Sequence, residues 1–260
     1  MILLINNKFV PETKAVLPIN SSILRGYGVF ETLRAYPGAK FFLAQKHIER
    51  LLESAKKINI KITYTPKQLQ AMLKKIASVH CKQNQSIRII ALPEILILTA
   101  ENITVPNKIY KGVKCMSVCC GRALPEIKSI SYLASFISHE RAAKYGNYDA
   151  VLTDEKEFVY EGAYSNLFWF EKNTLCTRQD KILPGITRWV ILQIWPGPVK
   201  LKNIKLSELC KKSEIFLTSS LKNIVPVIKI DKHIIGSGQV GKSTIKLMNL
   251  FNQYIKKTLK

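Results

Sequence analysis

Between residues 28 and 59 the hydrophobic period of this chain changes. Residues 28–36, G-V-F-E-T-L-R-A-Y, alternate, with Val29, Glu31 and Leu33 on one side and Phe30, Thr32 and Arg34 on the other. A period of two is a strand. Pro37 and Gly38 turn the chain, and residues 40–43 return as the second arm of a hairpin. From residue 44 onwards Ile48, Leu51, Leu52, Ala55 and Ile58 recur at helical spacing, which predicts an amphipathic helix over 44–59. Helix packed on sheet is therefore built into the first quarter of the chain.

The same alternation continues. Thr65 before Pro66 reads as an N-cap with proline in the first turn, and Leu69, Met72, Leu73 and Ile76 form the stripe of a second helix. Strands are predicted at 1–10 (with a turn at Asn6–Asn7), 86–92, 94–99 and 110–120. Gly121 to Pro125 breaks the pattern and sets the expected boundary between a domain of residues 1–120 and one of 121–260. Beyond it a helix is expected over 130–145, with Gly146 as its C-cap. Strands follow at 148–153, 158–160, 167–170, 214–218 and 224–230, and helices at 185–195 and 240–255. The class is mixed α+β, dominated by antiparallel hairpins.

Composition narrows the function. With 260 residues and 47% apolar content the chain has room for proper cores. No apolar run reaches the roughly 18–20 residues that span a bilayer, and the first ten residues read as a strand, not a signal peptide. The six cysteines form no C-x-x-C pair and the four histidines no metal spacing. The expectation is a cytoplasmic protein with reduced thiols and no metal. The formal charge of +22 attracts anions. Its lysines are spread along the whole chain without interleaved aromatics, so neither nucleic acid nor a membrane is expected as a partner.

Four stretches carry possible chemistry. G-S-G-Q-V-G-K-S at 236–243 satisfies the P-loop pattern. Only 17 residues follow Ser243 and none is acidic, so the acidic strand that holds Mg²⁺ in a nucleotide triphosphatase has no place. A P-loop NTPase is thus a remote alternative. Gly185-Ile186-Thr187 at a helix start, the Ser219–Ser220 turn and the Arg50 fork could together hold a phosphate. Glu161, in E-G-A-Y-S-N after Val159 and Tyr160, offers a partly shielded carboxylate suited to a cationic ring nitrogen. Lys128, in L-P-E-I-K-S-I-S-Y-L, has apolar neighbours and Tyr132 about one helical turn on. A lysine that forms a Schiff base needs partial desolvation and a neighbour that steers the proton.

In order, G-V-F-E-T-L-R (28–34), H-I-E-R-L (47–51), L-P-E-I-K-S-I-S-Y-L (124–133), E-G-A-Y-S-N-L-F (161–168), L-P-G-I-T-R (183–188) and F-L-T-S-S (216–220) resemble the class IV aminotransferases. These fold-type IV pyridoxal-phosphate enzymes include branched-chain aminotransferase, D-amino-acid aminotransferase and aminodeoxychorismate lyase. The resemblance runs from about residue 3 to residue 251. It implies a two-domain fold, a small N-terminal α/β domain and a larger C-terminal mixed α+β domain, and a homodimer with its site between the domains. It implies pyridoxal 5'-phosphate as cofactor, with Lys128 as the Schiff-base lysine and proton shuttle. Glu161 would pair with the pyridine nitrogen, Asn166 stand beside it, and Tyr132 lie near the phenolic oxygen. Arg50, Ile186, Thr187 and Ser220, with Ser219 as neighbour, would cup the phosphate.

The implied activity is transfer of an amino group between an amino acid, preferably branched-chain or hydrophobic, and a 2-oxo acid. D-amino acids and the aminodeoxychorismate elimination are the alternatives within the family. The chain departs from the family pattern in L-R-G-Y-G (24–28), which puts Arg25 and Tyr27 at the pocket edge, and in Thr32 after Glu31. Arg88 falls near a position where an arginine can bind a substrate carboxylate, or is a surface residue of an edge strand.

Overall fold

A computed structural model describes residues 1–17 and 21–259. It divides into two compact units. The first comprises Met1–Val105, Ile127–Tyr132 and Lys257–Lys260, the second Pro106–Glu126 and Leu133–Lys256. The division thus falls earlier than the expected 120/121, and the segment with Lys128 belongs to the first unit, for a reason that lies in its pairing.

The first unit is built on six strands: β1 (Ile2–Ile5), β2 (Lys8–Val10), β3 (Val29–Tyr36), β4 (Lys40–Phe41), β5 (Gln85–Leu92) and β6 (Ile95–Asn102). Their order is β2-β1-β6-β5-β3-β4, antiparallel throughout. A short α1 (Ser21–Leu24) precedes β3, and α2 (Ala44–Lys57) and α3 (Pro66–Ala77) supply the helices. Leu4, Val29, Leu33, Ile87, Ile89 and Leu98 from the sheet meet Ile48, Leu51, Leu69 and Leu73 from α2 and α3 in one core cluster. Each fully buried aliphatic side chain there stabilises by about 1.5–3 kcal/mol. The Thr65 cap is a complete capping box: its hydroxyl accepts the Gln68 N–H at 3.3 Å, and the Gln68 side chain accepts the Thr65 N–H at 2.8 Å.

Ile127–Tyr132 is not the start of a helix. The Phe30 N–H donates to the Lys128 carbonyl at 2.8 Å and the Ile130 N–H to the Gly28 carbonyl at 3.0 Å, and Val29 bridges to Ser129. The segment is held beside the start of β3, so the expected helix over 130–145 begins only at Leu133. Arg88 likewise departs from the edge-strand alternative. It is exposed, but β5 lies between β3 and β6, opposite Thr32 and Thr99.

The second unit holds nine strands: β7 (Val113–Cys119), β8 (Asp149–Thr153), β9 (Val159–Gly162), β10 (Asn166–Glu171), β11 (Thr174–Thr177), β12 (Val199–Leu201), β13 (Ile215–Ser219), β14 (Asn223–Ile230) and β15 (His233–Ile234). Their order is β12-β11-β10-β13-β14-β7-β8-β9, with β15 on β14. Three of the pairings, β11–β12, β14–β7 and β7–β8, are parallel. The helices are α4 (Leu133–Lys144), α5 (Ile186–Ile194), α6 (Leu206–Leu209) and α7 (Lys242–Thr258). A three-ten turn over Asn107–Lys111, entered at Pro106, takes up the beginning of the strand expected at 110–120. Phe168, Phe170 and Phe216 fill the middle of the sheet, with Phe168 and Phe216 stacked at 5.0 Å. Among the described residues no helix is long and apolar enough to cross a membrane.

Candidate active site

In the first unit the alternation of β3 decides what is buried. Glu31 faces the helices and is fully buried, an expensive place for a carboxylate unless it is paired. Arg50 and His47, three residues apart on α2, supply the partners. Arg50 Nε donates to Glu31 Oε1 at 2.7 Å, an Arg50 Nη to Oε2 at 2.9 Å, and His47 Nδ1 lies 2.8 Å from Oε2. Burial alone would raise the Glu31 pKa, but the Arg50 charge and the His47 and Arg50 hydrogen bonds override it and hold it at about 2. Burial pushes His47 below its ordinary value, against the pull of Glu31. The Arg50 fork, expected on a phosphate, is thus engaged with Glu31.

Lys128 carries its ammonium over two rings of the same unit, 4.3 Å from the Phe30 centroid and 5.7 Å from that of Tyr132. Those rings meet edge to face at 5.3 Å. The pairing with β3 produces this group, since it sets Lys128 beside Phe30. Arg25 and Tyr27 are exposed, and the Tyr27 hydroxyl donates to the Ile58 carbonyl.

In the second unit Glu161 sits on β9, almost fully buried. Asn166 Nδ2 donates to its Oε2 at 3.0 Å and the Leu183 N–H to the same oxygen at 3.1 Å, while an Arg122 Nη donates to Oε1. Asn166 Nδ2 also reaches the Leu183 carbonyl at 2.8 Å. A Cβ at Gly185 would fall 1.9 Å from Asn166 Oδ1, so the glycine is what lets the loop approach this amide. Gly185 is also the N-cap of α5 and brings no side chain to the amides of the first turn, where Ile186 and Thr187 lie buried. α5 packs against β13, which ends at Ser219; Ser220 follows in the turn to β14. An uncapped helix start beside a serine turn fits a phosphate, and a buried, multiply bonded carboxylate fits a ring nitrogen. The residues present therefore fit pyridoxal phosphate.

Arg122 escaped the sequence reading. It stands 39 positions from Glu161, and the one signal for it was a cation in the Gly121 to Pro125 break. With Cys120, Tyr160, Glu161 and Lys181 it lines a cavity of about 280 Å³. The P-loop match at 236–243 leads into α7, but Glu214 already occupies that helix start. Its Oε2 accepts the Thr244 N–H and hydroxyl, both at 2.7 Å, and its Oε1 the Ser243 N–H at 3.2 Å. A carboxylate lies where a nucleotide phosphate would have to.

The profile of the family described as amino-transferase class IV matches residues 28–230. The chain belongs to this family. Its cofactor is pyridoxal phosphate, and the protein is a pyridoxal-phosphate-dependent aminotransferase of the two-domain fold. A Methanocaldococcus jannaschii protein that carries the provisional name branched-chain-amino-acid aminotransferase is 31% identical, over 95% of this chain and 94% of its own length. The D-alanine aminotransferase of Staphylococcus haemolyticus is 30% identical over 96% of each chain. The solved branched-chain aminotransferase of the thermophilic archaeon Thermoproteus uzoniensis, with norvaline, is 26% identical and superposes with a TM-score of 0.88 over 99% of this chain and 95% of that one.

Proposed function

We propose that this aminotransferase moves the amino group of a branched-chain or other hydrophobic amino acid to a 2-oxo acid, with Lys128 as the catalytic residue. The observation that carries the reading is the position of Lys128, its ammonium against Phe30 and Tyr132 on a segment fixed to β3. Two rings beside the reactive amine form an apolar wall, which suits a hydrophobic substrate side chain. The M. jannaschii and T. uzoniensis relatives support the same class.

Bound pyridoxal phosphate supplies an electron sink that makes the α-proton of an attached amino acid acidic. Lys128 Nζ would hold the cofactor through its carbonyl carbon and, once freed by the substrate amine, would serve as the base that takes the α-proton and the acid that returns it to that cofactor carbon. Glu161 accepts the ring N–H, oriented by Asn166 and the Leu183 amide. Tyr132 holds the phenolic oxygen. The Ile186 and Thr187 amides, with Ser219 and Ser220, would bind the phosphate, and Arg50 would join them only by turning part of its guanidinium away from Glu31. Arg25, Tyr27 and Arg88 select the substrate.

The purified protein is expected to be yellow, with a visible band abolished by borohydride, and Lys128→Ala to lack it. A borohydride-sensitive band in Lys128→Ala would remove Lys128 from this role. The relatives named for D-alanine favour a second reading, a D-amino-acid substrate. A panel of L- and D-amino acids, followed by the change of that band, separates the two. Pyruvate release from aminodeoxychorismate without an acceptor would mark a lyase instead.

The free state of all six cysteines supports a cytoplasmic location. An exposed stripe on α4, Leu133, Phe136 and Ile137, supports a homodimer in which a second copy covers it.

A further inference from the structure

We propose that His139 is a positioning residue for Glu161, acting through Asp149 and Ser165 on the turn between β9 and β10. The proposal rests on the reading that Glu161 faces the cofactor ring.

The turn has Glu161 just before it and Asn166 just after it, and those two side chains bond to each other at 3.0 Å. Its own main chain closes with the Gly162 N–H on the Ser165 carbonyl at 2.7 Å, and the Ala163 N–H ties it to the Ala150 carbonyl of β8 at 2.9 Å. A side-chain relay adds the rest. The Ser165 hydroxyl donates to Asp149 Oδ2 at 3.0 Å. Asp149 Oδ1 receives the Ala150 N–H at 2.9 Å and lies 3.1 Å from His139 Nδ1. A carboxylate oxygen only accepts here, so Nδ1 carries the proton.

Asp149 is buried, whereas the His139 side chain is 22% exposed and reaches inward from α4. The Tyr164 ring lies 4.4 Å from the imidazole at a tilt of 31°, which fixes the plane of the ring that must meet Asp149. A Cβ at Gly162 would stand 2.1 Å from Ser165 Oγ and 2.9 Å from Asp149 Oδ2, so the residue next to Glu161 leaves room for this relay. Ser165 in turn adjoins Asn166. Any slack at Ser165 therefore passes to the Asn166 amide and from there to Glu161 Oε2, the oxygen that Asn166 and Leu183 orient.

The test uses full-length protein stripped of cofactor and titrated with pyridoxal phosphate by absorbance. His139→Ala and Ser165→Ala are each expected to raise Kd about tenfold, and His139→Gln, which keeps a donor towards Asp149, to recover most of that loss. If His139 acts through Asn166, adding His139→Ala to Asn166→Ala is expected to weaken binding no further. A purely structural histidine would give additive losses, which overturns the proposal, as does a His139→Ala protein that binds within about twofold of the wild type. Wild-type protein labelled with ¹⁵N-histidine provides a check that needs no variant. The His139 Nδ1–H resonance is expected to shift when cofactor is added, and an unmoved resonance overturns the proposal. A wild-type protein that binds no pyridoxal phosphate defeats the cofactor reading itself; binding with unchanged variants defeats only the relay.

Discussion

Glu31 takes the Arg50 guanidinium on both of its oxygens, at 2.7 and 2.9 Å, with the Arg50 side chain 8% exposed and that of Glu31 fully buried. Removing one partner of such a pair leaves an uncompensated buried charge. Arg50→Ala is therefore expected to destabilise the protein by about 3–5 kcal/mol. Arg50→Lys keeps the charge but not the fork and is expected to fall in between. Thermal denaturation of the three proteins checks the order.

The same pair makes stability depend on pH. In the unfolded chain Glu31 titrates near 4.5, whereas the folded protein holds it at about 2. As pH falls below 4.5 the unfolded state takes up a proton that the folded state refuses, so stability is present above that value and is lost down to about pH 2. His47 acts in the same direction and begins earlier. Its folded pKa lies below 6.5, so acidification through that value favours the unfolded, protonated form. The melting temperature is expected to decline from about pH 6 downward, and in Glu31→Gln the slope between about pH 5 and pH 3 is expected to flatten.

Gly185 has φ −67°, a conformation that alanine adopts freely, so Gly185→Ala tests contact alone. The added Cβ would stand 1.9 Å from Asn166 Oδ1 and must displace that side chain. Glu161 then loses its 3.0 Å donor. A hydrogen bond to a charged group is worth about 1.5–3 kcal/mol, so cofactor affinity is expected to fall roughly tenfold or more. Titration with pyridoxal phosphate measures it. Unchanged affinity would mean that Asn166 has a second position that still serves Glu161.

Local chemistry was legible in the chain. Thr65 and Pro66 mark a helix start because the cap lies within four residues of itself, and β3 and α2 show their buried faces through period alone. What the sequence concealed comes from distant partners. Residues 130–132 look like the first turn of a helix, yet β3, about a hundred positions earlier, ties the segment down through the Phe30 and Ile130 N–H bonds and the Val29–Ser129 bridge. The order Lys128, Glu161, Ser219 marks the family, but nothing in it announces that Arg122 grips Glu161 or that Asp149 reaches Ser165. β12 gave no signal at all. Val199, Lys200 and Leu201 are all exposed, and the strand exists through its parallel pairing with β11.

The P-loop match at 236–243 runs into a helix start that Glu214 caps. Gly241, inside the motif, lies so close to Glu214 that a Cβ there would meet its Cδ at 2.1 Å. The glycine thus admits a carboxylate, and that carboxylate satisfies two amides and a hydroxyl at the start of α7. Glu214→Ala strips this cap and is expected to cost about 1–2 kcal/mol of stability, seen as a lower melting temperature. Lys242 is exposed, so Lys242→Ala is expected to stay within about 0.5 kcal/mol of the wild type and to leave transamination unchanged. Neither the wild type nor Lys242→Ala is expected to hydrolyse ATP above the blank. Hydrolysis by the wild type that disappears in Lys242→Ala would make the loop a phosphate cradle, and Glu214 would then have to leave the helix start to admit the nucleotide.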